Sequence, residues 1–360
     1  MIDPNEPVGG EHMQECELSC FQGFVCLAGD CPDTCCQSWE VVLEPEILEK
    51  YRHVPGALGE QIRRTIVTEK DGAYLELHGG FCAFLDGDHL CRIQRQMGAD
   101  YLSENCGAYP RFTEIYGGQK ERCLALSCPE ASRLLLSHSE PLQMELRATP
   151  EPPEPNNLDP EQFVLLRSAR QTALEVVQDR TLPWERRLAL LLAFADRLQA
   201  DLDHGDLARG RDACRTFKDG NSRRGLVKSC PQGGEKRAEL LGQIRTLFLE
   251  MEPLRQCWHE QLLQLKEREP AAPVPDWQRE HFMVYYLYRY FLKAVNDGCL
   301  APRVRGGVLS DLLLSQMAEC PPVWRLTNFS REVEHSEQNL AHLVAQAGER
   351  RFAALEQALY

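Results

Sequence analysis

The chain has 360 residues, of which 43% are hydrophobic and 26% charged, and its formal net charge is −14. This is the composition of a globular protein with one large domain or two, not of a fibrous or wholly disordered chain. The acidic balance disfavours non-specific binding to nucleic acid, whose phosphates it would repel, and suits a basic partner such as a lysine-bearing protein surface.

Residues 1–15 are polar, acidic and rich in Gly and Pro. They lack a basic segment followed by an apolar run, so they read as a disordered tail rather than a secretory signal. The most apolar run, residues 282–292, is interrupted by Arg289 and is too short to cross a bilayer. A cytoplasmic protein with no membrane or nucleic-acid partner is expected.

The next segment, 16–140, reads as a loop-rich cysteine domain. Of 16 cysteines, eleven fall at positions 16, 20, 26, 31, 35, 36, 82, 91, 106, 123 and 128. In a reducing compartment, clustered thiols point to metal binding or catalysis rather than to disulfides. Asp30 and Pro32 predict a helix whose first turn holds Cys31, with Cys31 and Cys35 one turn apart on one face. Cys26 precedes that helix and Cys36 points elsewhere. Cys82 and Cys91 flank a turn, and Cys106 follows in Asn-Cys-Gly. Ser127 to Glu130 matches a capping box, which predicts Cys128 as the first residue of a helix. A thiolate is stabilised at such a helix start by free N–H groups and the helix dipole.

Eight cysteines in four groups predict a thiolate-bound metal centre. Zinc knuckles usually carry C-x2-C pairs, which are absent, whereas iron–sulfur centres accept less regular spacings. The C-x3-C-x2-C signature of radical S-adenosylmethionine enzymes is half met, because position 38 is Ser. No glycine-rich nucleotide fingerprint, Walker motif, H-E-x-x-H or G-x-S-x-G is present. The cysteines at 214, 230, 257, 299 and 320 are scattered singly and read as small buried hydrophobes or incidental thiols.

Residues 141–160 contain six prolines and read as an extended linker. From 161 to 360 the apolar spacing is helical, with a helix start near Thr181, Pro183 and Glu185. Residues 205–237 carry nine Lys or Arg against four Asp or Glu and read as a basic, solvated loop insert. Residues 277–296 are apolar nearly all round and predict a central buried helix. The fold class is therefore mainly α, with the cysteine domain packed on a C-terminal helical domain and the active cleft between them.

The four cysteine groups carry a resemblance. The stretches FVCLAGDCPDTCCQSW (24–39), FCAFLDGDHLCRIQ (81–94), YLSENCGAYPR (101–111) and LSCPEASRLLL (126–136) resemble the flagellin lysine-N-methylase family and the overlapping group of eight-cysteine zinc- or iron-chelating proteins. Weaker similarity continues at 177–188 and near 285. The resemblance implies methylation of lysine ε-amines on flagellin, with S-adenosylmethionine as donor and a [4Fe–4S] cluster held by Cys26, Cys31, Cys35, Cys36, Cys82, Cys91, Cys106 and Cys128 or a subset. Cys31, Cys35, Cys36 and Cys128 are the first choice, and Cys82, Cys91 and Cys106 the second. Inside the same motifs, Tyr109 and Arg111 are candidate catalytic contacts, and Arg92 and Asp33 candidate cofactor contacts. Trp39 is expected in the core and Glu130 at a cap. Zinc is the alternative metal, and a non-catalytic zinc- or iron-binding interaction or metal-delivery protein is the alternative function. A cluster-bearing redox enzyme is a third reading.

Overall fold

The computed structural model describes residues 12–37, 41–70, 72–228, 237–265, 270, 272–349, 352, 355 and 359. Most of the expected tail, together with Trp39 and Cys230, lies outside the described residues.

Strand β1 (Gln14–Leu18) starts inside the segment expected to be a tail. It alternates, with Cys16 and Leu18 facing the core and Glu15 and Glu17 facing out. It lies at the centre of a four-stranded sheet ordered β7–β8–β1–β9, formed with β7 (Arg111–Tyr116), β8 (Gln119–Leu124) and β9 (Met144–Ala148). β1 runs parallel to β8 and antiparallel to β9, so the expected linker contributes an edge strand. Glu15 and Glu17 reach Arg122 and Arg147 on the flanking strands at 3.3 and 3.2 Å, cross-strand ion pairs that suit the solvated face.

Between β1 and β7 the chain builds a small lobe. β2 (Val41–Leu43), β3 (Ile66–Glu69) and β4 (Gly72–Leu75) pair in the order β2–β4–β3, and β5 (Leu77–His78) pairs with β6 (Phe81–Cys82). Helices α1 (Pro45–Arg52), α2 (Gly56–Thr65), α3 (Arg92–Met97) and α4 (Glu104–Ala108) complete it. Its apolar centre is modest: Val41, Leu43, Ile47, Tyr51, Val54, Ile62, Leu75, Phe84 and Ile93.

The remainder is helical. α5 (Pro129–Leu135) follows the sheet, and after β9 come α6 (Pro160–Val177) and α7 (Trp184–Asp203). The basic segment expected to be a loop forms α8 (Leu207–Lys218) and α9 (Gly220–Lys228). Asp206 caps α8 through the Arg209 N–H, and Ala213, Cys214 and Phe217 give it a buried stripe, with Phe217 5.2 Å from Phe194. Its basic residues occupy the solvent side, so the charge count concealed an amphipathic helix.

α10 (Arg237–Leu249) and α11 (Gln256–Gln264) precede the aromatic helix α12 (Asp276–Tyr290), which is buried over most of its length as expected. α13 (Ala294–Asp297), α14 (Ala301–Gln316) and α15 (Pro322–Phe329) follow. A π-helical turn (Ser330–Glu334) then leads to α16 (Glu337–Ala347).

Buried ion pairs tie the layers together. Arg170 on α6 meets Glu121 on β8 at 2.5 Å, Glu280 on α12 takes Arg180 and Arg187 at 2.9 Å, and Arg279 meets Asp311 on α14 at 2.6 Å. The Tyr288 hydroxyl sits 2.7 Å from the Cys16 carbonyl and 2.9 Å from that of Arg122, so one side chain of α12 bonds both parallel strands. In each of these pairs the buried charge faces an opposite partner, which offsets its loss of water.

A thiol-lined cavity and the polar cavity beside it

The small lobe and the start of α5 enclose a cavity of about 260 Å³. Cys26, Cys31, Cys35, Cys36, Cys82, Cys91, Cys106 and Cys128 all line it. Cys16, Cys20 and Cys123 do not, and are buried in the main core as ordinary small side chains.

Local structure differs from expectation at two of the groups. Cys31 ends a 3-10 turn (Ala28–Asp30), and residues 31–36 are irregular, so Cys31 and Cys35 share no helix face. The capping box is not formed either: Cys128 itself is the N-cap of α5, Glu130 pairs with Arg133 at 2.7 Å, and the Ser127 hydroxyl turns away to other partners. The thiols nevertheless sit at short-helix starts. Cys91 is the N-cap of α3, and Cys106 lies in the first turn of α4, where its N–H donates to the Ser103 hydroxyl at 3.2 Å. α3 is closed by Gly98 (φ 92), whose left-handed backbone suits glycine.

Backbone bonds bring the separate groups together. The Cys82 N–H donates to the Cys36 carbonyl at 2.9 Å, and Leu85 bridges to Cys91. Cys82, Cys91 and Cys106 pack on the small lobe's core, whereas Cys128 belongs to the main core. Burial raises the Cys31 and Cys82 thiols and pushes Cys106 and Cys128 up to about 11. Cys35 is the exception. Its hydrogen bond with Cys36, helped by the Arg331 guanidinium, lowers its pKa, and the same bond raises that of Cys36.

Among the described residues, no three His, Cys, Asp or Glu side chains already converge as an ion site. The Cys31 thiol instead faces the Asp33 carbonyl at 3.3 Å, and the Cys26 sulfur takes the Ala28 N–H at 3.4 Å. Eight reduced thiols around one small chamber still fit a thiolate-bound centre in donor type and number.

The other expected contacts divide. Asp33 lines the thiol cavity and is ion-paired by Arg331. Tyr109 also lines it, next to a cis bond to Pro110. Arg111 does not: exposed on β7, it lies 4.8 Å over the Phe24 ring and braces the cavity wall from behind. Arg92 is also absent from the wall, and flanks a separate hollow of mixed charge with Asp86, Asp88 and Arg95.

A second, more polar cavity of about 470 Å³ adjoins the first and shares Cys35 and Tyr109 with it. Its other lining residues include Ser127, His335, Arg255, Arg331 and Glu252. The Tyr109 hydroxyl lies 3.0 Å from Ser127 Oγ, which lies 2.6 Å from His335 Nε2. Partial burial of the His335 ring, together with the cations Arg289 and Arg331, pushes its pKa down to about 4. Arg331 comes from the π-helical turn, a feature often found at functional sites, and donates to the Ser127 carbonyl at 3.0 Å. The rim at Leu254 and Arg255 is pinned by Glu332, whose carboxylate accepts both N–H groups at 2.8 and 2.9 Å. Burial raises Glu332 to about 7. Arg255, Arg331 and His335 carry no local motif and lie more than a hundred residues from Cys35 and Ser127, so the sequence did not announce them.

Thiols enclosed by a strand-and-loop lobe, set against a buried helical bundle, define a cysteine-rich protein with a thiol-lined chamber. Three comparisons specify the family. The FliB lysine N-methylase C-terminal domain matches residues 170–302, which span most of α6 through α13. The flagellar biosynthetic protein FliU of Salmonella muenchen is 30% identical over 128 residues, 34% of this chain and 76% of that protein. A lysine-N-methylase of Salmonella typhimurium is 29% identical over 34% of this chain and 32% of its own length. The chain thus covers about a third of the curated lysine-N-methylase. No solved structure matches. The chain belongs to the flagellin lysine-N-methylase family. Among the described residues, no helix is long and apolar enough to cross a membrane.

Proposed function

We propose that this protein is a cytoplasmic methyltransferase that moves a methyl group from S-adenosylmethionine to lysine ε-amines of flagellin. The observation that carries this reading is the convergence of all eight motif cysteines on one chamber in a chain of the lysine-N-methylase family. A subset of the eight cysteines, with Cys31, Cys35, Cys36 and Cys128 the first choice and Cys82, Cys91 and Cys106 the second, would hold a [4Fe–4S] cluster, with zinc as the alternative metal. When bound, such a cluster supplies an anchor for the amino and carboxylate groups of the donor and so orients its methyl group.

The chain's own residues have definable tasks. Asp33, fixed by Arg331, and Tyr109 shape the chamber wall. The largely apolar lining, with Phe24, Leu27, Val41, Leu75 and Ile93, keeps bulk water away from a reactive sulfonium. A lysine amine, with an ordinary pKa near ~10.4, must arrive or become neutral before it attacks. The net charge of −14 favours encounter with lysine-bearing surfaces.

The test is direct. The protein, purified without air, is assayed for iron, sulfide and zinc, then incubated with flagellin and S-adenosylmethionine carrying a labelled methyl group. Methyl-lysine in the flagellin, seen by mass spectrometry, supports the reading. Metal binding without any methyl transfer overturns it in favour of a metal-binding or metal-delivery protein.

A further inference from the structure

Cys31, Cys35 and Cys36 lie on an irregular loop of the small lobe, whereas Cys128 starts α5 and belongs to the main core. A metal centre shared by them needs the two segments at one fixed separation. Residues 31–36 form no helix or strand that could set it.

One side chain spans the gap. Arg331 Nε donates to the Ser127 carbonyl at 3.0 Å, one residue before Cys128. Its Nη1 is bonded to the Asp33 carboxylate, and its Nη2 donates to the Asp33 and Thr34 carbonyls at 3.4 and 3.5 Å, between Cys31 and Cys35. A guanidinium is a planar fork of five N–H donors, so acceptors bonded to it are fixed relative to one another. The two segments it joins lie 298 and 204 residues upstream of it.

The fork is itself held in place. Arg331 belongs to the π-helical turn, which the His335 N–H closes by donating to the Ser330 carbonyl at 3.0 Å. The neighbouring Glu332 accepts the Leu254 and Arg255 N–H groups, and Arg255 brings a second guanidinium to 3.8 Å from the Asp33 carboxylate. Only 11% of the Arg331 side chain is exposed, so water competes little for these bonds.

We propose that Arg331 is a positioning residue of the thiol chamber, whose guanidinium holds the Cys31–Cys36 loop and the Cys128 helix start at the separation a shared metal centre requires. The inference rests on the metal-centre part of the reading above and adds to it a residue outside the cysteine motifs. A lysine at 331 keeps the charge but offers a single nitrogen on a flexible stem, which does not reproduce the fork.

The experiment uses the full chain, purified without air and loaded with iron and sulfide, with neither flagellin nor S-adenosylmethionine present. Iron release to excess EDTA is timed. Arg331→Met and Arg331→Lys are both expected to release iron about 10- to 100-fold faster than wild type. Both should also alter the thiolate-to-iron absorption, a signature that a merely structural role would not move. Wild-type release and absorption in Arg331→Lys would overturn the fork, and wild-type release from Arg331→Met would overturn any role of the side chain. Should the Arg331 variants not fold, Asp33→Asn decides: it weakens one anchor of the fork and leaves the carbonyl bonds, so faster release supports the inference and wild-type release overturns it.

The same comparison is made with zinc if the chain takes zinc instead. A wild-type chain that retains neither metal overturns the inference, while methyl transfer to flagellin still judges the methylase reading separately. A chain that retains metal but transfers no methyl fails the methylase reading and leaves the release rates to decide this one.

Discussion

The small cysteine lobe and the helical bundle solve the problem of stability in opposite ways. The bundle buries a continuous core from Phe163 on α6 to Leu343 on α16, and it pairs Arg187 with Glu280 and Arg279 with Asp311 inside it. The lobe has strands of two to four residues and a core of nine apolar side chains. A unit that small gains little from apolar burial, and proteins of that scale commonly rely on metal–thiolate bonds. The contrast teaches that one region is built to be stable and the other to be completed by what it binds.

The contrast can be broken from the bundle side first, where the largest effect is expected. Glu280→Ala leaves Arg187 buried without its carboxylate and should cost about 3–5 kcal/mol, read as a lowered denaturant midpoint of the whole chain. The lobe should respond differently. Stripping metal with a chelator, or introducing Cys82→Ser with Cys91→Ser, should open residues 26–110 to protease while α6–α16 remain resistant. Equal digestion of both regions would remove the distinction. Cys123→Ser provides the control: it buries a hydroxyl in the main core at a cost of roughly 1–3 kcal/mol and should leave metal content unchanged.

A smaller effect sharpens the boundary between the regions. Glu332 titrates at about 7 in the fold against an ordinary 4.5, so between those values the unfolded chain has lost a proton that the folded chain keeps. Stability should therefore fall as pH rises through that window, by at most roughly 3 kcal/mol. Thermal unfolding of Glu332→Gln should lack that slope. The smallest effect is expected at Arg92→Ala, which should leave both metal content and methyl transfer unaltered, because Arg92 lies outside both cavities.

What the sequence revealed follows the same division. The eight cysteines, Asp33 and Tyr109 lie in short sequence motifs, and the structure brings all of them to the wall of one chamber. α12 was legible because its side chains are apolar all round. The helix expected at Cys31 failed because Asp33 turns to Arg331, nearly three hundred residues away, rather than supporting a local helix start. Ser127 failed as a cap for a similar reason, since His335 takes its hydroxyl. The strand at 144–148 was hidden among prolines, yet none lies within it, and its partner β1 is 130 residues upstream. Arg111 and Arg92 lie in the same motifs, yet the fold leaves both off the chamber wall.

The central position of β1 has a consequence for the order of events during synthesis. Its two neighbours, β8 and β9, emerge only after residues 119 and 144, so the first strand made waits for the last one of its sheet. Closing so long a loop is slow compared with forming the local turns inside it. Seven of the eight chamber cysteines lie within that loop, and the eighth, Cys128, is made before β9. On the ribosome every thiol of the chamber therefore precedes the strand that completes its supporting sheet, leaving an interval in which the nascent site is open to whatever fills it.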